Sequence, residues 1–214
     1  MDEVKWKSAR SYGQFCALAR ALDVVGDRWN LLIVRELLPG PLRYGELRAS
    51  LAGIATNLLA ERLKTLEGTG IVERRLGDSG VVYALTEWGA AMREPMESLG
   101  RWGAPLLASG RGQDAFHPRW LVLAIPALLQ GASADRAAAV VLDVEGYTFE
   151  VRVDQSGLRA SAEYGPEPPC VFSASPDTVV ALAAGAISVD QAIQAGTVQG
   201  DVKHLHAVFD RAAS

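Results

Sequence analysis

Residues 43–85 read RYGELRASLAGIATNLLAERLKTLEGTGIVERRLGDSGVVYAL, and the fold turns on this stretch. Arg43 to Leu51 is a short helix, with Tyr44, Leu47 and Leu51 at spacings of three and four. Gly53 breaks it at the place a helix-turn-helix needs its turn. Ile54 to Glu67 gives a second helix, with Ile54, Leu58, Leu59, Leu63 and Leu66 on one face. Gly68 and Gly70 end that helix, because glycine accepts a left-handed cap. Ile71–Leu76 and Val81–Leu85 read as strands joined by Gly77-Asp78-Ser79-Gly80, a hairpin signal. Helix, turn, helix and two-stranded wing, in that order, predict a winged helix-turn-helix.

The second helix leaves Thr56, Asn57, Ala60, Glu61 and Lys64 pointing out, polar or small as a major groove requires. Arg62 sits at the border of this face. Arg43 and Arg48 on the first helix, Arg62, and Arg74 and Arg75 on the wing are candidate phosphate contacts. The bland alternative is a solvated helix face.

Working outward, Phe15–Val25 is a helix with Phe15, Leu18, Leu22 and Val25 on one face. Asp27 is a good N-cap for the next helix, Arg28–Leu38, which Pro39-Gly40-Pro41 stops. Met1–Tyr12 is a polar arm containing Trp6. Beyond the wing, Thr86 caps a helix expected to run to about Leu107, kinked at Pro95. Its stripe of Met92, Met96, Leu99, Trp102 and Leu106 suits either the domain's own core or a second chain. Ser109–Gln113 reads as a linker, giving domains 1–110 and 111–214.

Net charge is −4, but residues 1–110 hold 14 Lys+Arg against 13 Asp+Glu, and residues 111–214 hold 7 against 12. The acidity therefore belongs to the second half, and DNA binding needs only a local basic surface. Hydrophobic content of 49% supports a packed core. The polar start lacks a signal core, and Trp120–Leu129 is too short to span a bilayer. A cytoplasmic location, with no membrane, is expected. No cofactor motif is present. His204 and His206, two apart on a helix, do not clamp a metal, so neither metal nor enzyme activity is expected.

Several groups of residues together resemble the HxlR-type bacterial transcription regulators: Cys16, Gly26-Asp27-Arg28-Trp29, Arg43-Tyr44-Gly45-Glu46-Leu47, Arg62-Leu63, Leu66-Glu67 and Tyr83-Ala84-Leu85-Thr86. The resemblance covers about Phe15 to Trp102. It implies operator DNA as partner and a homodimer made by the N-terminal helix and the helix after the wing. This chain departs from the family at Ala55-Thr56, where a serine-proline pair is usual, and at Asp78-Ser79, where a proline pair is common. An operator sequence cannot be borrowed from relatives. In some relatives the cysteine matching Cys16 senses oxidants or electrophiles; Arg20, one turn on, would favour a thiolate. The alternative, preferred from the sequence, is a small buried core residue.

The second half reads as a helix, Phe116–Gln130, then strands Ala137–Asp143, Tyr147–Val153 and Gly157–Glu163, a loop, and a strand Cys170–Ala174. Helices at Asp177–Ala184, Val189–Gln194 and Val202–Ala212 follow. The run FSASPDTVVALAAGAISVDQAIQAGTVQGDVKHLHAVFDRA, with its Ser-Pro start, Leu182, Gly185, Ala192 and Gly196–Gly200 turn, resembles the end of sterol-carrier-protein-2-like domains. That resemblance implies a curved, mainly antiparallel sheet covered by helices, hence an α+β class for the chain, and a cavity for an apolar or aromatic effector. Candidate walls are Trp120, Leu123, Leu128, Phe149, Phe172, Leu182, Ile187, Ile193, Leu205 and Phe209; the alternative is that they fill a core. The expectation is a ligand-responsive repressor. Its rivals are a carrier of lipid-like ligands and a redox sensor acting through Cys16.

Overall fold

A computed structural model describes residues 11–78, 80–107 and 110–210. The expected arm before Ser11, Ser79 of the wing tip, Ser109 of the linker and the last helix's Arg211-Ala212 lie outside the described residues. The chain folds as two compact units dividing between Met96 and Glu97, before the expected linker.

In the first unit, α1 (Ala17–Val25) and α2 (Asn30–Leu37) precede α3 (Tyr44–Ser50) and α4 (Thr56–Gly68). Between α3 and α4, Gly53 takes a φ of 87°, a backbone that only glycine adopts without strain. Leu47, Leu51, Leu59, Leu63 and Leu66 are buried, so the predicted leucine face is the core face. Each such leucine stabilises by roughly 1.5–3 kcal/mol relative to exposure. After α4, the left-handed residue is Gly70, while Gly68 remains within the helix.

Strands β1 (Val72–Gly77) and β2 (Gly80–Leu85) pair antiparallel from Val72↔Leu85 to Gly77↔Gly80. Leu42 adds a bridge to Tyr83. The single long helix expected after the wing is not formed. Instead α5 (Glu87–Ala90) stops, and α6 (Arg93–Gly103) restarts with Pro95 in its first turn. Proline lacks the N–H that a continuous helix would need there, but a first turn leaves that donor unused in any case. A 3₁₀ turn follows at Ala104–Leu107.

Two further expectations fail in this unit. Cys16 is exposed, not buried, because α1 starts at Ala17 and sends only Ala19, Val24 and Val25 inward. Asp27 does not cap α2, whose N-cap is Trp29 with no side-chain bond. The Asp27 carboxylate goes elsewhere, as shown below.

The second unit is α+β. A 3₁₀ turn (Pro118–Trp120) leads into α7 (Leu121–Leu128), splitting the one helix expected there. Then come β3 (Ala138–Val144), β4 (Tyr147–Asp154), β5 (Gly157–Ser161) and β6 (Cys170–Ser173). They are followed by α8 (Pro176–Ala184), α9 (Val189–Gln194), β7 (Thr197–Gly200) and α10 (Lys203–Phe209). Strand order is β5-β4-β3-β6-β7, antiparallel throughout except between β3 and β6. The Gly196–Gly200 segment, expected to be a turn, contributes the edge strand β7, bonded along Cys170–Ser173.

Val140, Leu142, Val144, Phe149, Val151, Val153 and Phe172 form one apolar sheet face, packed with Leu121, Val122, Ile125 and the buried residues of α8, α9 and α10. Strand alternation puts Thr148, Glu150 and Arg152 on the opposite face, where Glu150 holds Arg152 at 3.0 Å.

Candidate nucleic-acid interface

α4 is held from both ends by groups outside it. The Tyr44 hydroxyl donates to the Thr56 carbonyl at 2.7 Å, fixing the start of α4 against α3. The Thr86 hydroxyl donates to the Gly70 carbonyl at 2.6 Å and accepts from the Gly89 N–H at 3.0 Å, joining the turn after α4 to α5. At the head of α3, the Glu46 carboxylate accepts from the Arg43 N–H at 2.6 Å. Arg93 reaches the Leu38 carbonyl at 3.2 Å.

On the far side of α4, Thr56, Asn57, Glu61 and Lys64 are exposed. Arg43 and Arg48 on the preceding helix are exposed as well, and neither they nor Lys64 has an ion pair among the described residues. The wing cations are exposed but paired: Arg74 with Glu67 at 2.6 Å, and Arg75 with Glu73 at 2.7 Å. Exposed pairs of this kind stabilise by about 0–1 kcal/mol, so phosphate oxygens can replace these carboxylates at little cost. Tyr83, on strand β2 of the wing, has its phenol pushed up by burial, with Glu67 adding to the shift and Arg74 opposing it.

Arg62 is placed differently from the other candidates. Its side chain is 18% exposed and pairs with Asp27 in the turn between α1 and α2. Asn30 supports the same turn, donating from Nδ2 to the Val24 carbonyl at 3.1 Å. The sequence offers no sign of the Asp27–Arg62 contact, since the partners are 35 residues apart. The Tyr44 hydroxyl bond was equally hidden, because Tyr44 reads as a core residue.

Cys16 lies at the N-cap of α1 with extended backbone. No side-chain cap hydrogen bond forms there, but the nearby Ala19 and Leu18 N–H groups hold its thiol below the ordinary range. Cys170 is buried, and that burial pushes its thiol up.

The ten candidate ligand walls divide into three groups. Phe149, Phe172, Leu182, Leu205 and Phe209 are members of the buried core, while Leu128, Ile187 and Ile193 pack against it. Trp120 and Leu123 are half-buried; the Trp120 ring lies edge-on to Phe116 and His117. Among the described residues no group of His, Cys, Asp and Glu is placed to hold a metal ion. No described helix is long and apolar enough to cross a membrane.

A helix-turn-helix with an exposed polar second helix and a two-stranded wing bearing exposed arginines defines a class of DNA-binding regulator. The comparisons agree. Residues 24–110 match the HxlR-like helix-turn-helix family. The HTH-type transcriptional regulator YodB of Bacillus subtilis is 39% identical over 85 residues, spanning 38% of this chain and 76% of that protein. YvaP of the same organism, also named an HTH-type transcriptional regulator, is 36% identical over 86 residues, 39% of this chain and 80% of that protein. The solved structure of reduced YodB from B. subtilis aligns at 35% identity and a TM-score of 0.40, covering 45% of this chain and 99% of that one. The chain belongs to the HxlR-like helix-turn-helix family of transcriptional regulators.

Proposed function

We propose that this regulator binds operator DNA as a homodimer, with α4 in the major groove and the wing on the backbone. The observation that carries this reading is the exposed face of Thr56, Asn57, Glu61 and Lys64, set on buried leucines and anchored at Thr56 by Tyr44. Asn57 offers a bidentate partner to adenine and Glu61 an acceptor for a cytosine amino group. Arg43, Arg48, Arg74 and Arg75 hold phosphates. Dimerisation is supported by the apolar surface each chain leaves open: Phe15, Leu18 and Leu22 around α1, and Leu99, Trp102 and Leu106 from α6 onward. Cytoplasmic residence and repression by promoter occlusion fit this reading.

The second unit is assigned a sterol-carrier-like role, taking up a small apolar or aromatic effector. Its support is a mainly antiparallel five-stranded sheet with an apolar face covered by short helices. With five candidate walls in the packed core, a ligand must part the helices from the sheet, and Trp120 and Leu123 at the margin are the place to begin. A second reading, a thiol sensor at Cys16, is favoured by that residue's exposure and its position at a helix N-terminus.

The DNA reading is tested by selecting duplexes from a random-sequence library with the full-length protein. Recovery of a two-fold symmetric site supports it, and failure to enrich any sequence counts against it.

A further inference from the structure

We infer that Asp27 and Arg62 form a positioning lock that sets the angle of α4 on the domain, and that Arg62 is not a phosphate contact. The inference rests on the assignment of α4 as the reading helix. Arg62 projects from the middle of α4, on the border between its leucine face and its exposed face. Its guanidinium turns away from solvent and bonds the Asp27 carboxylate, while Glu61, the other acid near it, stands 3.9 Å away and two-thirds exposed. A phosphate ligand needs its cation in solvent; this one is 18% exposed, against 62% for Arg74 and 56% for Arg75.

Asp27 is available because it does not cap α2. Its carbonyl accepts from the Asn30 N–H at 3.0 Å, so backbone alone closes the turn and the carboxylate points to α4. The turn is itself closely packed. A side chain at Gly26 would meet the Leu22 carbonyl oxygen at 2.4 Å, and buried Asn30 ties it to Val24. Among the described residues, the Nε of Arg62 and the Oδ1 of Asn30 are buried and bond no protein group, so this junction is a closely packed polar one. Tyr44 fixes the start of α4 and Asp27 fixes its middle. Leucine packing leaves the direction of a helix axis a scatter of roughly 15–20°, and two fixed polar points narrow it.

The test uses the full-length chain and duplexes selected by the wild type. Asp27→Asn and Arg62→Gln should each lower affinity about tenfold, and the double variant should be no weaker than either single one, because both remove one interaction. The salt slope should stay at the wild-type value in all three. A slope reduced by about one unit in Arg62→Gln alone, with Asp27→Asn unaffected, would make Arg62 a phosphate ligand and overturn the inference. Amide hydrogen exchange without DNA gives a second, independent readout. In Asp27→Asn, exchange should quicken in α4 and the α1–α2 turn while the wing is unchanged. Uniform quickening, or an unfolded chain, would make the pair a general stabiliser and contradict a positioning role. If the wild type selects no duplex, the DNA reading fails, while the exchange result still decides the lock.

Discussion

Cys16 stands in the open at the head of α1, where the N–H groups of Ala19 and Leu18 hold its thiol below the ordinary range. Cys170 lies in the core of the second unit, with burial raising its thiol, Asp201 adding to the effect and a bond from Leu205 opposing it. The thiolate is the reactive form, and its fraction grows as pH rises through the pKa. Iodoacetamide should therefore modify Cys16 rapidly in the native protein, with a rate that levels off below the pH at which a free thiol does. Cys170 should react only after denaturation. Mass spectrometry of alkylated peptides across a pH series checks both, and a Cys16 profile matching that of a free thiol would mean the helix N-terminus does not activate it. Loss of DNA binding on treating wild type, but not Cys16→Ser, with a quinone or diamide would promote the sensor reading.

At the scale of elements, the leucine face of α4 carries the stability, and the proposed function gives the reading to the opposite face. Leu59 is fully buried, and Leu59→Ala should destabilise by about 2–5 kcal/mol in urea unfolding of the full chain. A loss under about 1 kcal/mol would mean that α4 packs less closely than described. This division was legible in advance because it rests on periodicity: leucines three and four apart must share a side, and Asn57 and Lys64 must then face away. The wing was legible too, from two short apolar runs around the Gly77–Gly80 hairpin signal, although the strands extend to pair Gly77 with Gly80. Beside the Tyr44 bond and the exposure of Cys16, three more features were hidden. Asp27 read as a cap because local spacing suggested one, whereas its partner comes from a distant helix. Pro95 read as a kink because a continuous apolar stripe was assumed, whereas the chain restarts α6 just before it. β7 has only four residues, Thr197–Gly200, and its strand character comes from pairing with β6 rather than from its own pattern. Each depends on a tertiary contact that a linear reading does not contain.

For the whole molecule, the proposed function sets a DNA-reading unit and an effector unit in one chain. An effector alters DNA affinity only through its differential binding to two arrangements of the dimer. Successive major grooves require two α4 helices about 34 Å apart, so any shift in dimer geometry is felt at the operator. An apolar fluorescent probe such as a polyene fatty acid should bind the full-length protein, and Trp120→Ala should weaken that binding. Probe at saturation should lower operator affinity, and operator should lower probe affinity by the same factor. Equal operator affinity with and without bound probe would separate the two units functionally and favour a carrier role. The central claim is that α4 reads bases while the wing holds phosphates. It is tested most directly by fluorescence anisotropy of Asn57→Ala and Arg75→Ala on the selected duplex and on single-base variants, across a salt series. Asn57→Ala should lose discrimination at one base pair, costing about 1–3 kcal/mol there, and keep its salt slope. Arg75→Ala should weaken every duplex alike and lower the slope by about one. Wild-type affinity, preference and slope in both variants would contradict the account.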